Sequence, residues 1–231
     1  MMLFLKIAGF TFAVKTKYKY LKNHSTDYII PSCEADFVIE VTEEEIEAEQ
    51  TAQYSRGYLE SIAVCRKIAR LLFSHHTFVL HGVALEVNGE GIVFLARSGV
   101  GKTTHANLWK KMFGEKVTVI NGDKPFIRQI DGKLSAFGTP WAGKEAEQTN
   151  KSCVLRKICF LERGAENRCT ELTGDDLLYR VLPFLYTERG TEALDALEML
   201  HASDLTYYAL QCNMEDGAAL ASYRAMFPDE I

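Results

Sequence analysis

The chain has no apolar run long enough to cross a bilayer as a helix, and no CxxC pair. The first absence excludes a helical membrane protein. The second excludes a thioredoxin-like redox pair. The six cysteines, at 33, 65, 153, 159, 169 and 212, also fit no zinc spacing. They point to reduced thiols in a cytoplasmic protein. The N-terminal apolar run is broken by Lys6 and leads into a Lys/Tyr-rich segment, so no signal peptide is expected. Excess positive charge is missing as well. A formal net charge of −5 gives no electrostatic reason to expect nucleic acid or an anionic membrane as partner. What remains is an ordinary soluble composition, 47% hydrophobic and 25% charged over 231 residues. That length buries roughly 70% of the unfolded surface. It suits one main domain, 51–231, with an appended β-rich subdomain, 1–50.

The organising stretch is Ala96-Arg97-Ser98-Gly99-Val100-Gly101-Lys102-Thr103-Thr104. An apolar run, Ile92-Val93-Phe94-Leu95, precedes it, and a helix from about 103 to 113 follows. Strand, glycine turn and helix start are the context of a P-loop (Walker A) phosphate site. The glycines let N–H groups turn inward, and the helix start adds unpaired donors and a positive dipole end. Ser98, Gly99, Val100, Gly101, Lys102, Thr103 and Thr104 are therefore the expected nucleotide-binding residues. Lys102 reaches the β/γ-phosphates and Thr103 holds Mg²⁺. Ala96 stands where the motif has its first glycine, which fits if the backbone there is still strand-like.

Residues 77 to 87 alternate, with Val79, His81, Val83, Leu85 and Val87 on one expected face. Asn88-Gly89-Glu90-Gly91 is a hairpin signal, so the strand before the P-loop should pair antiparallel with the P-loop strand. Pairing Val87 with Ile92 would put His81 opposite Ser98, within reach of bound phosphate or its metal. His75 and His76 read as surface residues. The strand at 116–120 ends at Asn121-Gly122-Asp123, where a metal-holding carboxylate belongs. Asp131-Gly132 is a hairpin turn. Gly138 to Lys144 forms a second glycine loop, with Trp141 and Lys144 as a substrate grip or lid.

The remaining segments read as packing elements. Residues 1 to 50 suggest a small antiparallel sheet, with Glu43-Glu44-Glu45 a solvated turn. Residues 54 to 73 form a docking helix whose Tyr54 and Tyr58 belong to the core stripe with Ile62, Cys65, Ala69 and Leu72. Thr173 and Asp176 suggest a capping box opening a helix to about 184. Asp175 and Asp176 are first-turn acids without a role.

On these residues, 80–144 resembles the nucleotide-binding core shared by HPr kinase/phosphorylase and ATP-dependent phosphoenolpyruvate carboxykinase. The pieces are Leu80-His81-Gly82-Val83, the hairpin, Ser98 to Thr104, Gly122-Asp123, and Gly138 to Lys144. The resemblance covers about a third of the chain and implies an α/β fold on a mixed sheet, an antiparallel hairpin leading into the P-loop. It implies ATP, with Mg²⁺ (or Mn²⁺) bridged by Thr103, Asp123 and His81, and Lys144 near the γ-phosphate. Those families carry two adjacent acids where this chain has Gly122-Asp123-Lys124. Asp123 can then fill one of two jobs, metal ligand or base, with His81 or another group taking the second.

The expected activity is an ATP-dependent, Mg²⁺-assisted kinase, acting on a hydroxyl of a protein, peptide or small metabolite. The catalytic candidates are Asp123, His81 and Lys144. Trp141, Arg128 and Arg156 are substrate candidates. The alternatives are a carboxykinase-like decarboxylating enzyme, for which Arg128 and Arg156 would bind a dicarboxylate, and a non-catalytic ATP-binding module. Self-association into a homo-oligomer stays open.

Overall fold

A computed structural model describes residues 1–50, 53–174, 176–187 and 189–230. Asp175 and the proposed boundary at residue 51 lie outside the described residues. No described helix is long and apolar enough to cross a membrane.

The chain opens with β1 (Met2–Ile7) and β2 (Phe10–Lys15), paired antiparallel around the Ala8-Gly9 turn. β3 (Phe37–Glu40) adds parallel to β2, not antiparallel as expected, with Phe12 opposite Phe37. A parallel neighbour needs a long crossover, and the connection carries α1 (Tyr20–His24). The Glu43-Glu44-Glu45 run is not a turn. It starts α2 (Glu43–Ala48), where Thr42 and Glu45 form a reciprocal capping box. α3 (Arg56–Phe73) follows, with the Ser55 hydroxyl accepting from the Tyr58 N–H.

The larger sheet is mixed. Its path runs through β4 (Thr77–Val79), β8 (Phe126–Ile130), β9 (Lys133–Phe137), β10 (Ser152–Arg163), β6 (Glu90–Leu95), β5 (Gly82–Val87) and β7 (Val117–Asn121). β12 (Thr206–Cys212) joins the other flank of β10, and β11 (Arg168–Leu172) pairs with β12. β10 is central because it meets β9 over its first residues and then β6 and β12, both parallel. Its run Ile158-Cys159-Phe160-Leu161 is buried on both faces, as a strand covered on two sides requires. α4 (Lys102–Phe113) and α7 (Asp216–Met226) pack on one face through Trp109, Phe94 and Tyr223. α6 (Gly190–His201) packs on the other through Leu197 and Leu200. α5 (Leu177–Val181) begins after Asp176 without a side-chain cap, so the Thr173 capping box does not form.

Two expectations about the hairpin are corrected. The turn is only Asn88-Gly89, with φ of 53° and 82°, and Val87 pairs with Glu90, so Leu85 and not Val87 faces Ile92. A two-residue turn with both φ positive matches the twist of the strands it joins. Residues 77 to 87 are also not one strand. β4 pairs with β8, whereas β5 pairs with β6 and β7. The chain changes neighbours at Leu80-His81, next to the β7-to-β8 connection. There the His81 N–H donates to the Phe184 carbonyl at 2.7 Å and the Gly82 N–H to the Asp123 carbonyl at 2.9 Å. This double crossing places His81 and Asp123 side by side.

Candidate functional site

A cavity of about 810 Å³ opens where the glycine turn, the double crossing and the 138–147 loop meet. Its first wall is the turn after β6. Ala96 is buried and takes no positive φ, so alanine costs nothing there. Gly99 (φ 79°) and Gly101 (φ 123°) do the turning, and Gly101 caps α4. The first-turn N–H groups of Lys102, Thr103 and Thr104 have no intrahelical acceptor, and the helix dipole adds positive potential at the same place. The buried Lys102 ammonium curls back to donate to the Ala96 carbonyl at 2.8 Å. Burial pushes its pKa down, while the Asp123 carboxylate partly opposes that. Arg163, at the end of β10, donates to the Gly99 carbonyl and braces the turn from outside. Nothing in the sequence pattern marked this arginine.

The facing wall is the double crossing. His81 Nε2 lies 3.1 Å from Asp123 Oδ1, and the Lys124 ammonium sits on Oδ2. Burial alone would raise the Asp123 pKa. The His81 hydrogen bond and the Lys124 charge outweigh it and hold the carboxyl at about 2. Lys124 is raised in turn, Asp123 overcoming the effect of its own burial. Asn121 aims the pair. Its fully buried Oδ1 accepts the N–H groups of Asp123 (2.9 Å) and Lys124 (2.7 Å). Its amide donates to the Thr139 carbonyl and hydroxyl, both at 3.0 Å. At Gly122 a Cβ would stand 2.7 Å from the Ala142 carbonyl, so only glycine lets the 138–147 loop approach this closely.

Lys144 is exposed on the cavity rim. Trp141 touches the cavity but is 5% exposed, and its indole N–H donates to Ser61 on α3. It serves chiefly to dock the loop. The other two substrate candidates are elsewhere. Arg128 donates to the Ala8 carbonyl at 2.7 Å and lies over the Phe10 ring, fastening the N-terminal sheet. Arg156 pairs with Asp204. Neither lines the cavity. His75 and His76 are exposed, as read.

The third wall was not foreseen. Tyr20 and His24 stack at 4.0 Å between centroids, Tyr58 meets Tyr20 edge-on at 5.6 Å, and Tyr54 lies 4.6 Å from Tyr58. All four line the cavity. Tyr54 is 47% exposed and is not the core residue expected, whereas Tyr58 is half-buried, packed against the core on one side and lining the cavity on the other. α3 buries Cys65, Ala69 and Leu72 of the expected stripe, together with Leu59, Val64 and Ile68, while the stripe's N-terminal end at Tyr54 faces the cavity.

Among the described residues no three His, Cys, Asp or Glu side chains converge on a metal position. The oxygen donors lining the cavity include the Asp123 carboxylate and the Ser98 and Thr103 hydroxyls. That set suits a hard cation that keeps waters and takes further oxygens from an anionic ligand.

No family model matches the chain, and no curated protein matches it. Among solved structures it is similar to the HPr(Ser) kinase/phosphatase from Coxiella burnetii, with a TM-score of 0.40 and 8% identity, over 65% of this chain and 88% of that one. A likeness this loose carries no correspondence of residues, and function is read from the cavity's own chemistry.

Proposed function

We propose that the chain is an ATP-dependent phosphotransferase that moves the γ-phosphoryl group to a hydroxyl. The observation that carries the reading is the facing of two walls. A glycine turn with helix-start donors and a buried lysine looks across one cavity at a carboxylate held ionised by His81 and Lys124. The turn serves as a P-loop, with Ser98 to Thr104 around the phosphates and Lys102 released from Ala96 to the β/γ-phosphates.

The residues fit Mg²⁺, or Mn²⁺ with the same oxygen donors. Thr103 and Asp123 would hold the ion, which neutralises phosphate charge when bound. Both Asp123 oxygens are engaged, Oδ1 by His81 and Oδ2 by Lys124, which leaves the carboxylate poorly placed to take a proton. His81 is then the base. Its Nε2–H donates to Asp123, which leaves the lone pair on Nδ1. As the bond from the γ-phosphorus to the β,γ-bridging oxygen breaks, a bond from the acceptor oxygen forms. The hydroxyl proton passes to Nδ1 and ADP leaves. Lys144, on the rim, offsets charge on the transferring group.

The carboxykinase-like alternative asks for arginines converging on a dicarboxylate, and Arg128 and Arg156 do not supply them. The non-catalytic alternative rests on Ala96 in place of the motif's first glycine and on the lack of a second acid beside Asp123 in Gly122-Asp123-Lys124. Titration calorimetry with ATP and Mg²⁺ tests the common premise. Binding should be lost, at least 100-fold, in Lys102→Ala. Wild-type protein that does not bind ATP overturns the reading. ATP binding with no transfer to any acceptor or to water leaves the non-catalytic module.

A further inference from the structure

We infer that the wall formed by Tyr20, His24, Tyr54 and Tyr58 is the acceptor subsite, and that it takes a peptide whose hydroxyl residue has an aromatic or apolar neighbour. The inference rests on the phosphotransferase reading and adds the class of acceptor.

Position argues first. The γ-phosphate would point from the glycine turn towards Asp123, and the attacking and leaving oxygens stand roughly in line on opposite sides of it. Whatever lies beyond Asp123 therefore meets the acceptor. Tyr58 lines the same cavity as Asp123 and Lys124, close enough to feel the charges of both, and we take its ring as the acceptor's first contact. Met214 stands against Gly101 and would give the nucleoside an apolar contact at the turn itself.

Construction argues second. The fully buried Glu60 carboxylate accepts the N–H groups of Lys17 (2.6 Å) and Tyr18 (3.1 Å). Gly57 admits the segment so closely that a Cβ would stand 3.0 Å from Tyr20 Cβ. A buried charge and a close helix contact are thus committed to holding a Tyr20/His24 platform open to the cavity. Burying a carboxylate is costly unless its acceptors are filled, so this is a built surface and not loose loop.

Chemistry argues third. The platform is aromatic and hydroxyl-bearing, and the one arginine among the described lining residues, Arg97, belongs to the glycine turn. Rigid tyrosines give apolar contact and hydrogen bonding at low entropic cost, the combination used to grip peptides. Gln53 and Ser55 line the same end and offer amide and hydroxyl partners to a peptide backbone.

The test uses the full chain with ATP, Mg²⁺ and blocked tripeptides. Acetyl-Phe-Ser-Phe-amide should be phosphorylated with kcat/KM at least tenfold above acetyl-Gly-Ser-Gly-amide, glycerol or free serine. Tyr54→Ala, at an exposed position, and Tyr58→Phe, which keeps the ring, guard against misfolding. Tyr54→Ala should raise KM for the aromatic peptide about tenfold with kcat little changed, and Tyr58→Phe should have a smaller effect. Equal rates on glycerol or the glycine peptide overturn the inference while leaving the phosphotransferase standing. A matching loss of ATP affinity in Tyr54→Ala also overturns it, since the rings would then hold the nucleobase. Failure of wild-type protein to bind ATP brings down both.

Discussion

A buried histidine and a half-buried carboxyl near the glycine turn are both shifted down from their ordinary values, and each gives a distinct loss of stability in acid. His105, one residue past Thr104, is buried with Nε2 3.1 Å from the Ser222 hydroxyl, and it accepts the Trp109 indole N–H at 2.9 Å. Burial lowers its pKa to about 4, from 6.5. Between those values the unfolded chain binds more protons than the folded one. Stability is therefore full above pH 6.5 and falls as pH drops to 4, by about 3 kcal/mol. Urea titrations at pH 7 and pH 4.5 should show this loss, and His105→Gln should remove most of it. Asp123 acts lower. Its pKa falls from 3.8 to about 2, so its contribution is whole above pH 3.8 and disappears as pH falls to 2. Replacing Asp123 by Asn strands a buried ammonium on Lys124, which should cost roughly 3 kcal/mol at pH 7. In Asp123→Asn/Lys124→Met the two losses should be less than additive, because the stranded charge is gone. Strict additivity would mean that the ion pair seen in the cavity does not form in solution.

At the scale of elements, what could be read in the sequence was what local chemistry dictates. Asn88-Gly89 demanded a hairpin, and the glycine turn demanded a helix start. The register slipped because four turn-like residues, 88 to 91, were available and only two are used. The aromatic wall escaped because 3.6-residue spacing marks a face without saying what that face meets. α3 turns Tyr54 to a cavity rather than to the core and leaves Tyr58 at the border of the two, and the partners Tyr20 and His24 come from a distant segment. Arg128 and Arg156 were legible only as charges on strands, and their partners Ala8 and Asp204 are fixed by tertiary packing. Asn121 was visible only as a turn residue, yet it satisfies four polar groups at the β7-to-β8 connection. Asn121→Ala leaves buried donors and acceptors unpaired there, so it should lower stability by about 2–3 kcal/mol. It should also weaken Mg²⁺-dependent ATP binding more than Mg²⁺-free binding, since the aim of Asp123 is lost. Equal weakening of both would show that Asn121 supports the fold alone.

Over the whole molecule, the N-terminal sheet does not keep a core to itself. Leu5, Phe12 and Ile39 pack in one cluster with Leu59 and Ile68 of α3, Val79, Phe126 and Trp141. Trp141 stacks on Phe126 at 5.9 Å and ties the 138–147 loop to α3. A sheet this short is marginal alone and needs a packed partner, and the cavity needs the same contact to keep its aromatic wall facing the glycine turn. The first fifty residues and the rest should therefore unfold together. The chain's two tryptophans report on the two regions. Trp109 sits between α4 and α7, and Trp141 in the shared N-terminal core. In Trp109→Phe and Trp141→Phe variants, each retaining one fluorophore, the urea transition seen by the remaining tryptophan should coincide with that variant's own far-UV dichroism. A Trp141 signal lost well before the dichroism of its variant would mean that the N-terminal sheet detaches on its own. The aromatic wall would then be one that opens separately from the glycine turn.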